Sequence, residues 1–347
     1  MGRIISVSRI LPICCLIWAA PWPTNAAGDP LVIQPVRVIE CNTGDEGRPA
    51  VVTGIALTPD GQSIVAATDD HTVSIWNVNT GELQQRLPGH ADWVRAVAVS
   101  PDGMLLASGA NDHTICVWDL AHRQRLFRLP ACDGAVACLR VHANGQQVAV
   151  VGFADTLQIV NVSTGQITQR HQCAGDDQRA VAFSPDGTRM AAAGRNGRIR
   201  VWNVASGVHE RDIETEGRPI RSLDFSPDGR MLVAAGDGTH VHVIEAATGQ
   251  AVRTLGVRPA KVYAAVFVDE RQLAIAGSDN RIHIWSLQTG QAAAQLVGHT
   301  GTVAALAAGS NGKLLISGSY DTTLRIWSLC ERPTDVTAVR PIDGPAR

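Results

Sequence analysis

The sequence predicts an all-β fold: a seven-bladed β-propeller with four antiparallel strands per blade. Three observations predict it. One anchor residue recurs seven times at near-constant spacing. A Pro-Asp-Gly turn phrase, intact or degenerate, precedes each anchor by about 18 residues. The short runs beside these turns alternate apolar and polar residues with period two.

Near residue 76 the chain reads TDDHTVSIWNVNTG. The phrase returns as ANDHTICVWDL, FADTLQIVNVSTG, GRNGRIRVWNVASG, GDGTHVHVIEAATG, GSDNRIHIWSLQTG and SYDTTLRIWSL. The anchors are Trp76, Trp118, Val160, Trp202, Ile244, Trp285 and Trp327, spaced by 42, 42, 42, 42, 41 and 42 residues.

The turn phrase is TPDG at 58–61 and SPDG at 100–103, 184–187 and 226–229. Degenerate copies stand at 142–145 (HANG), 268–271 (VDER) and 309–312 (GSNG). Pro presets the second turn position, Asp bonds its own backbone, and Gly tolerates positive φ. A further turn follows most anchors, as in Thr80-Gly81 and Thr248-Gly249. Each unit therefore holds four short strands joined by tight turns. One such sheet cannot cover both of its faces, whereas seven packed face to face around an axis can. Ala, Gly and Ser at 66–67, 107–110, 192–194, 234–236 and 276–278 suit strands near a crowded centre. A helical solenoid of the same period is disfavoured, because Pro-Asp-Gly breaks a helix.

The last unit ends near Leu329 after three strands, so a fourth must come from elsewhere. Leu31–Glu40 (LVIQPVRVIE) is β-rich and stands before the first repeat. The expectation is an N-terminal strand that closes blade seven and leaves no open edge in the ring.

The pattern resembles the WD40 repeat family, whose repeat runs from a Gly-His pair to a Trp-Asp pair. The resemblance covers residues 31–329. One unit ends in Trp-Asp (Trp118-Asp119), and Gly-His pairs occur at Gly89-His90 and Gly298-His299. The family uses a hydrogen-bonded His, Ser or Thr, Asp and Trp chain to stiffen a blade. The resemblance implies two full structural networks here: His90, Ser108, Asp112 and Trp118, and His299, Ser317, Asp321 and Trp327. Elsewhere the set is broken. Asp70 and Asp279 lack their His, Asn196 replaces Asp, and Val160 and Ile244 replace Trp. Those blades are expected to rely on apolar packing and to be less rigid.

His, Ser and Asp also make acyl-transfer triads. Their recurrence on two blades, explained by the family's structural network, and the absence of a GxSxG turn argue against that chemistry. His240 and His242 share one side of a strand, but spacing supplies no third ligand, so no metal is expected. No cofactor is signalled.

The family docks its partners on the face that bears the loops into each first strand and between the second and third. Residues matching that face are Trp93, Asn111, Asp177, Arg195, Lys261, Ser278 and Tyr320. Trp93 is the only Trp after residue 27 that is not an anchor, and it is either a partner contact or local packing. The resemblance and the missing catalytic constellations imply a non-catalytic scaffold for a protein or peptide, acting as a monomeric ring. The alternative is a propeller enzyme or small-ligand binder with a site in the central channel. Arg95, Arg140, Arg179 and Arg221 recur on or near the channel strands and suit an anion at its mouth.

Residues 1–27 read as a secretory signal: Arg3 and Arg9, an apolar run over Ile10–Ala20, then small residues before Gly28. The expectation is an exported protein, periplasmic or extracellular, with no membrane attachment after cleavage. Residues 28–330 form the propeller and 331–347, with three Pro, a loose tail. Without the first 27 residues the chain carries 28 basic and 32 acidic residues, which argues against nucleic acid. Export permits disulfides, and the six remaining cysteines allow fifteen pairings. Cys132 and Cys173 fall in corresponding loops of neighbouring blades and are a possible bridge. Cys116 and Cys138 fall within strands and read as buried thiols.

Overall fold

A computed structural model describes residues 31–42, 48–130, 134–257 and 261–329. The signal segment, the C-terminal tail, Cys132 and Cys330 lie outside the described residues. Seven sheets surround a central channel. Their innermost strands are Val52–Leu57, Val94–Val99, Val136–Val141, Gln178–Phe183, Ile220–Phe225, Val262–Phe267 and Val303–Ala308. Each pairs antiparallel with the next strand of its own blade, and the third and fourth strands follow outward.

The turn phrases explain the tight first hairpins. In blade two the Ser100 hydroxyl donates to Asp102 at 2.5 Å, Asp102 accepts from the Met104 N–H at 2.9 Å, and Gly103 takes φ 71°. An L side chain pays for that backbone, and Gly does not.

The core is divided into seven apolar clusters, one at each interface between adjacent blades. Alternation on the second strand serves two interfaces at once. Val65 and Ala67 face blade two, while Ile64 and Ala66 face blade seven. The small residues keep blades close. A Cβ on Gly109 would collide with Val136 of blade three, and one on Gly318 with Val52 of blade one.

The segment before the first repeat is divided, not a single closing strand. Arg37–Glu40 pairs antiparallel with Thr323–Ile326 and completes blade seven. Leu31–Ile33 instead runs parallel to Ala294–Leu296, as a fifth strand on the outer edge of blade six. Pro35 lies between the two and has no N–H for a ladder, so the chain changes blade there. Ile39, on the closing strand, enters the cluster between blades seven and one.

A β-bulge recurs on the innermost strand of every blade. The register slips between Val52 and Gly54, Val94 and Ala96, Val136 and Cys138, Gln178 and Ala180, Ile220 and Ser222, Val262 and Ala264, and Val303 and Ala305. The extra residue is Thr53, Arg95, Ala137, Arg179, Arg221, Tyr263 or Ala304. A bulge re-aims the side chain that carries it, and all seven of these residues line the channel.

Candidate functional site

The channel opens into a cavity of about 380 Å³. Its lining includes Arg95, Arg140, Arg179 and Arg221, and no Asp, Glu or Lys. The arginines come from blades two to five. Blades six, seven and one contribute Tyr263, Tyr320, Ala305, Leu306 and Ile55. The channel is therefore cationic on one arc and largely apolar on the other.

Three of the arginines are bulge residues fixed by polar partners. Arg95 donates from Nε to Asn111 Oδ1 at 2.6 Å. Its guanidinium lies 5.9 Å from the centroid of Trp93 and 5.8 Å from that of Phe153. Arg179 makes two bonds to Asp177, at 2.9 and 2.5 Å. Arg221 makes two to Asp237, at 2.5 and 2.9 Å. Arg140 comes from further along its strand and donates to the Leu139 carbonyl at 3.0 Å.

The aromatic groups stand beside these cations in two clusters, one around Arg95 and one running from Arg221. Arg221 stands 5.0 Å from the Tyr263 centroid, and Tyr263 meets Tyr320 edge-on at 6.2 Å. Burial pushes the Tyr320 phenol up, and Tyr263 adds to this, while Arg95 and Arg221 oppose it. Trp93, Phe153 and Tyr320 are nevertheless 46%, 45% and 46% exposed.

Of the residues matched to the docking face, Tyr320 lines the cavity itself. Trp93, Asn111 and Asp177 support the bulge arginines from the rim. Arg195, Lys261 and Ser278 are exposed, and the Ser278 N–H donates to the Lys261 carbonyl at 3.0 Å. Phe153 and Tyr263 were not singled out from sequence. Phe153 lies 42 residues after Asn111, and Tyr263 lies 42 after Arg221, so the repeat period carried a usable signal.

The two polar networks lie away from the channel, inside blades two and seven. Trp118 Nε1–H donates to Ser108 Oγ at 2.9 Å, and Ser108 meets His90 Nε2 at 2.8 Å. The hydroxyl proton therefore goes to Nε2, and Nδ1–H faces Asp112 at 3.1 Å. In blade seven Trp327 to Ser317 is 2.9 Å, Ser317 to His299 is 2.7 Å, and His299 to Asp321 is 2.8 Å. Burial pushes both imidazoles below their ordinary value, against the pull of the carboxylates. Burial alone would raise Asp112 and Asp321. Hydrogen bonds from the neighbouring backbone, threonine and histidine outweigh it and hold both carboxyls low.

Three blades with an incomplete set recruit other partners. Asp70 pairs with Arg86 at 3.1 Å, and Asp279 with His283 at 2.7 Å. Asn196 donates to the Ala174 carbonyl at 2.6 Å. Apolar packing is thus not their sole support. His240 pairs with Glu216 at 2.5 Å. Among the described residues, no three His, Cys, Asp or Glu side chains are grouped to hold a metal.

Desolvation pushes the buried Cys41, Cys116 and Cys173 thiols up to about 12, 11 and 12. Cys173 has no disulfide partner among the described residues. Cys138 is half-buried and lines the channel, so it is not the buried strand thiol the sequence suggested.

Comparison with known proteins agrees with this architecture. Residues 51–227, just over half of the chain, match the first β-propeller of IFT122. Residues 208–268 match the WD40 domain of anaphase-promoting complex subunit 4, and residues 290–328 match the WD domain, G-beta repeat. A 38-residue stretch is 55% identical to the periodic tryptophan protein 2 homolog of Neurospora crassa. That stretch covers 11% of this chain and 4% of the relative. The repeat, the seven closed blades and these matches together place the chain in the WD40 repeat family.

Proposed function

We propose that this protein is an exported, non-catalytic scaffold whose channel-mouth face binds a protein or peptide partner. One observation carries the reading. All three large aromatic side chains exposed among the described residues, Trp93, Phe153 and Tyr320, gather at one mouth of the ring. Exposed aromatics interleaved with arginine are the residues that dominate interface energy. The ring holds them on short loops and bulges, so little ordering is spent on binding. Export is read from residues 1–27.

The test is an affinity capture from the native exported fraction, using the chain without its signal segment. Wild-type protein should recover a partner that the Trp93→Ala/Tyr320→Ala double variant loses, at unchanged circular dichroism. Recovery of the same partner by both proteins would remove the docking face. Finding the protein only in the cytosolic fraction would remove the export.

A further inference from the structure

We infer that the central channel is itself a ligand site, built for a small organic anion: a carboxylate or phosphate head on an apolar body. The docking reading rests on the exposed aromatic side chains, of which Phe153 and Tyr320 also line the cavity, whereas this inference rests on the charge and shape of the lumen.

Four guanidinium groups line one cavity that has no carboxylate in its wall. Two of them, Arg179 and Arg221, are neutralised from behind by Asp177 and Asp237. The other two have no carboxylate at ion-pair distance among the described residues. Arg95 spends its Nε on the neutral Asn111 side chain, and Arg140 bonds a backbone carbonyl. Asp224 of blade five acts on Arg140 through space, but one of its oxygens accepts the Phe267 N–H at 2.9 Å, and it does not line the cavity. Cations held in a half-buried lumen without a paired acid are costly unless an anion joins them.

The opposite arc decides what kind of anion. Tyr263, Tyr320, Ala305, Leu306 and Ile55 present rings and aliphatic groups. They reward an apolar body and offer a bare inorganic ion little. A volume of about 380 Å³ lies within the range of small-molecule sites. Arg95, Arg179 and Arg221 are preorganised by bulge geometry and by aromatic or carboxylate neighbours, and Arg140 by bonds to the Leu139 carbonyl and Cys138 Sγ, so the ligand has little left to order. The same head and body can be a free metabolite or can be presented by a partner's side chain.

Phenyl phosphate is the probe, titrated calorimetrically beside benzyl alcohol, inorganic phosphate and a short blocked peptide bearing the aryl phosphate. Phenyl phosphate should bind once per chain. Benzyl alcohol and inorganic phosphate should each bind at least ~10-fold more weakly, since each lacks one half of the contacts. Arg140→Gln and Arg95→Gln should each weaken phenyl phosphate by ~10-fold or more, with circular dichroism unchanged. Tighter binding of the peptide assigns the anion to a partner's side chain, and tighter binding of free phenyl phosphate assigns it to a small molecule. The inference falls if phenyl phosphate shows no saturable binding up to about 10 mM, a dissociation constant worth under ~3 kcal/mol. It also falls if neither arginine variant changes the affinity, or if either control probe binds as tightly.

Discussion

The guanidinium of Arg221 lies 5.0 Å from the ring centroid of Tyr263. The two are bulge residues of adjacent blades, and their contact marks where the cationic arc meets the aromatic one. Asp237 grips the same guanidinium with both oxygens. The pair holds the Asp237 carboxyl below its ordinary range and raises Arg221. A single arginine therefore ties blade five to blade six at the mouth.

This contact predicts a measurable coupling. A double-mutant cycle on Arg221→Ala and Tyr263→Ala, followed by urea unfolding, should give an interaction energy of about 0.5 to 1 kcal/mol. In Arg221→Ala the Asp237 carboxyl should titrate at higher pH by NMR. A coupling of zero would reduce the pair to coincidental neighbours.

The indole anchors differ in what their N–H groups do. Trp118 Nε1–H bonds Ser108, whereas Trp76 Nε1 is buried without a partner among the described residues, because Ala66 stands where Ser108 would be. Trp118→Phe breaks a bond and strands the Ser108–His90 pair, while Trp76→Phe removes an orphan donor. Both lose similar apolar area. Trp118→Phe should therefore cost ~1 to 2 kcal/mol more stability than Trp76→Phe in denaturant titration. Equal costs would mean that the network adds no stability.

These anchors also show what the sequence could and could not reveal. The 42-residue period located every blade, because each unit repeats the same solution to one packing problem. The polar networks were legible because their members keep fixed offsets from the anchor. The bulge was not legible: Thr53, Arg95 and Tyr263 share a position but no residue type, and only the paired register reveals the extra residue. The arginines at the mouth were visible in sequence, but not the partners that divide them. Asp237 lies 16 residues from Arg221 across a hairpin, and Phe153 reaches Arg95 from the next blade. The split of residues 31–40 turned on Pro35, whose effect depends on two neighbouring blade edges lying within reach.

The buried networks predict acid sensitivity above the range where carboxylates usually titrate. His90 and His299 have folded values below 6.5, so the unfolded chain binds their protons first as pH falls. Their contribution is complete above about pH 6.5 and is lost as pH falls towards the folded values. Asp112 and Asp321 act in the same direction below their ordinary value of 3.8. Asp224 acts oppositely, since burial raises it to about 6 and its protonation relieves a cost. Comparison isolates the histidines. Between pH 7 and 5 the wild-type unfolding midpoint should fall more steeply than that of His90→Gln/His299→Gln. Parallel slopes would show that these imidazoles do not carry the effect.

Ring closure should depend on Arg37–Glu40 and not on Leu31–Ile33. Ile39 is 4% exposed in the cluster shared with Trp76 and Ile326, and its strand supplies the last hydrogen-bonded edge of blade seven. Ile39→Asp places a carboxylate among these apolar groups and should cost at least ~2 kcal/mol. It also frees the Thr323–Ile326 edge, so the variant should associate at higher concentration. Val32 sits on the strand added outside blade six and is 57% exposed. Val32→Asp should change stability by no more than about 0.5 kcal/mol. Denaturant titration and light scattering on the two variants decide the matter. If both behave like wild type, blade seven closes without its N-terminal strand; if Val32→Asp is as damaging as Ile39→Asp, the outer strand is part of the closure.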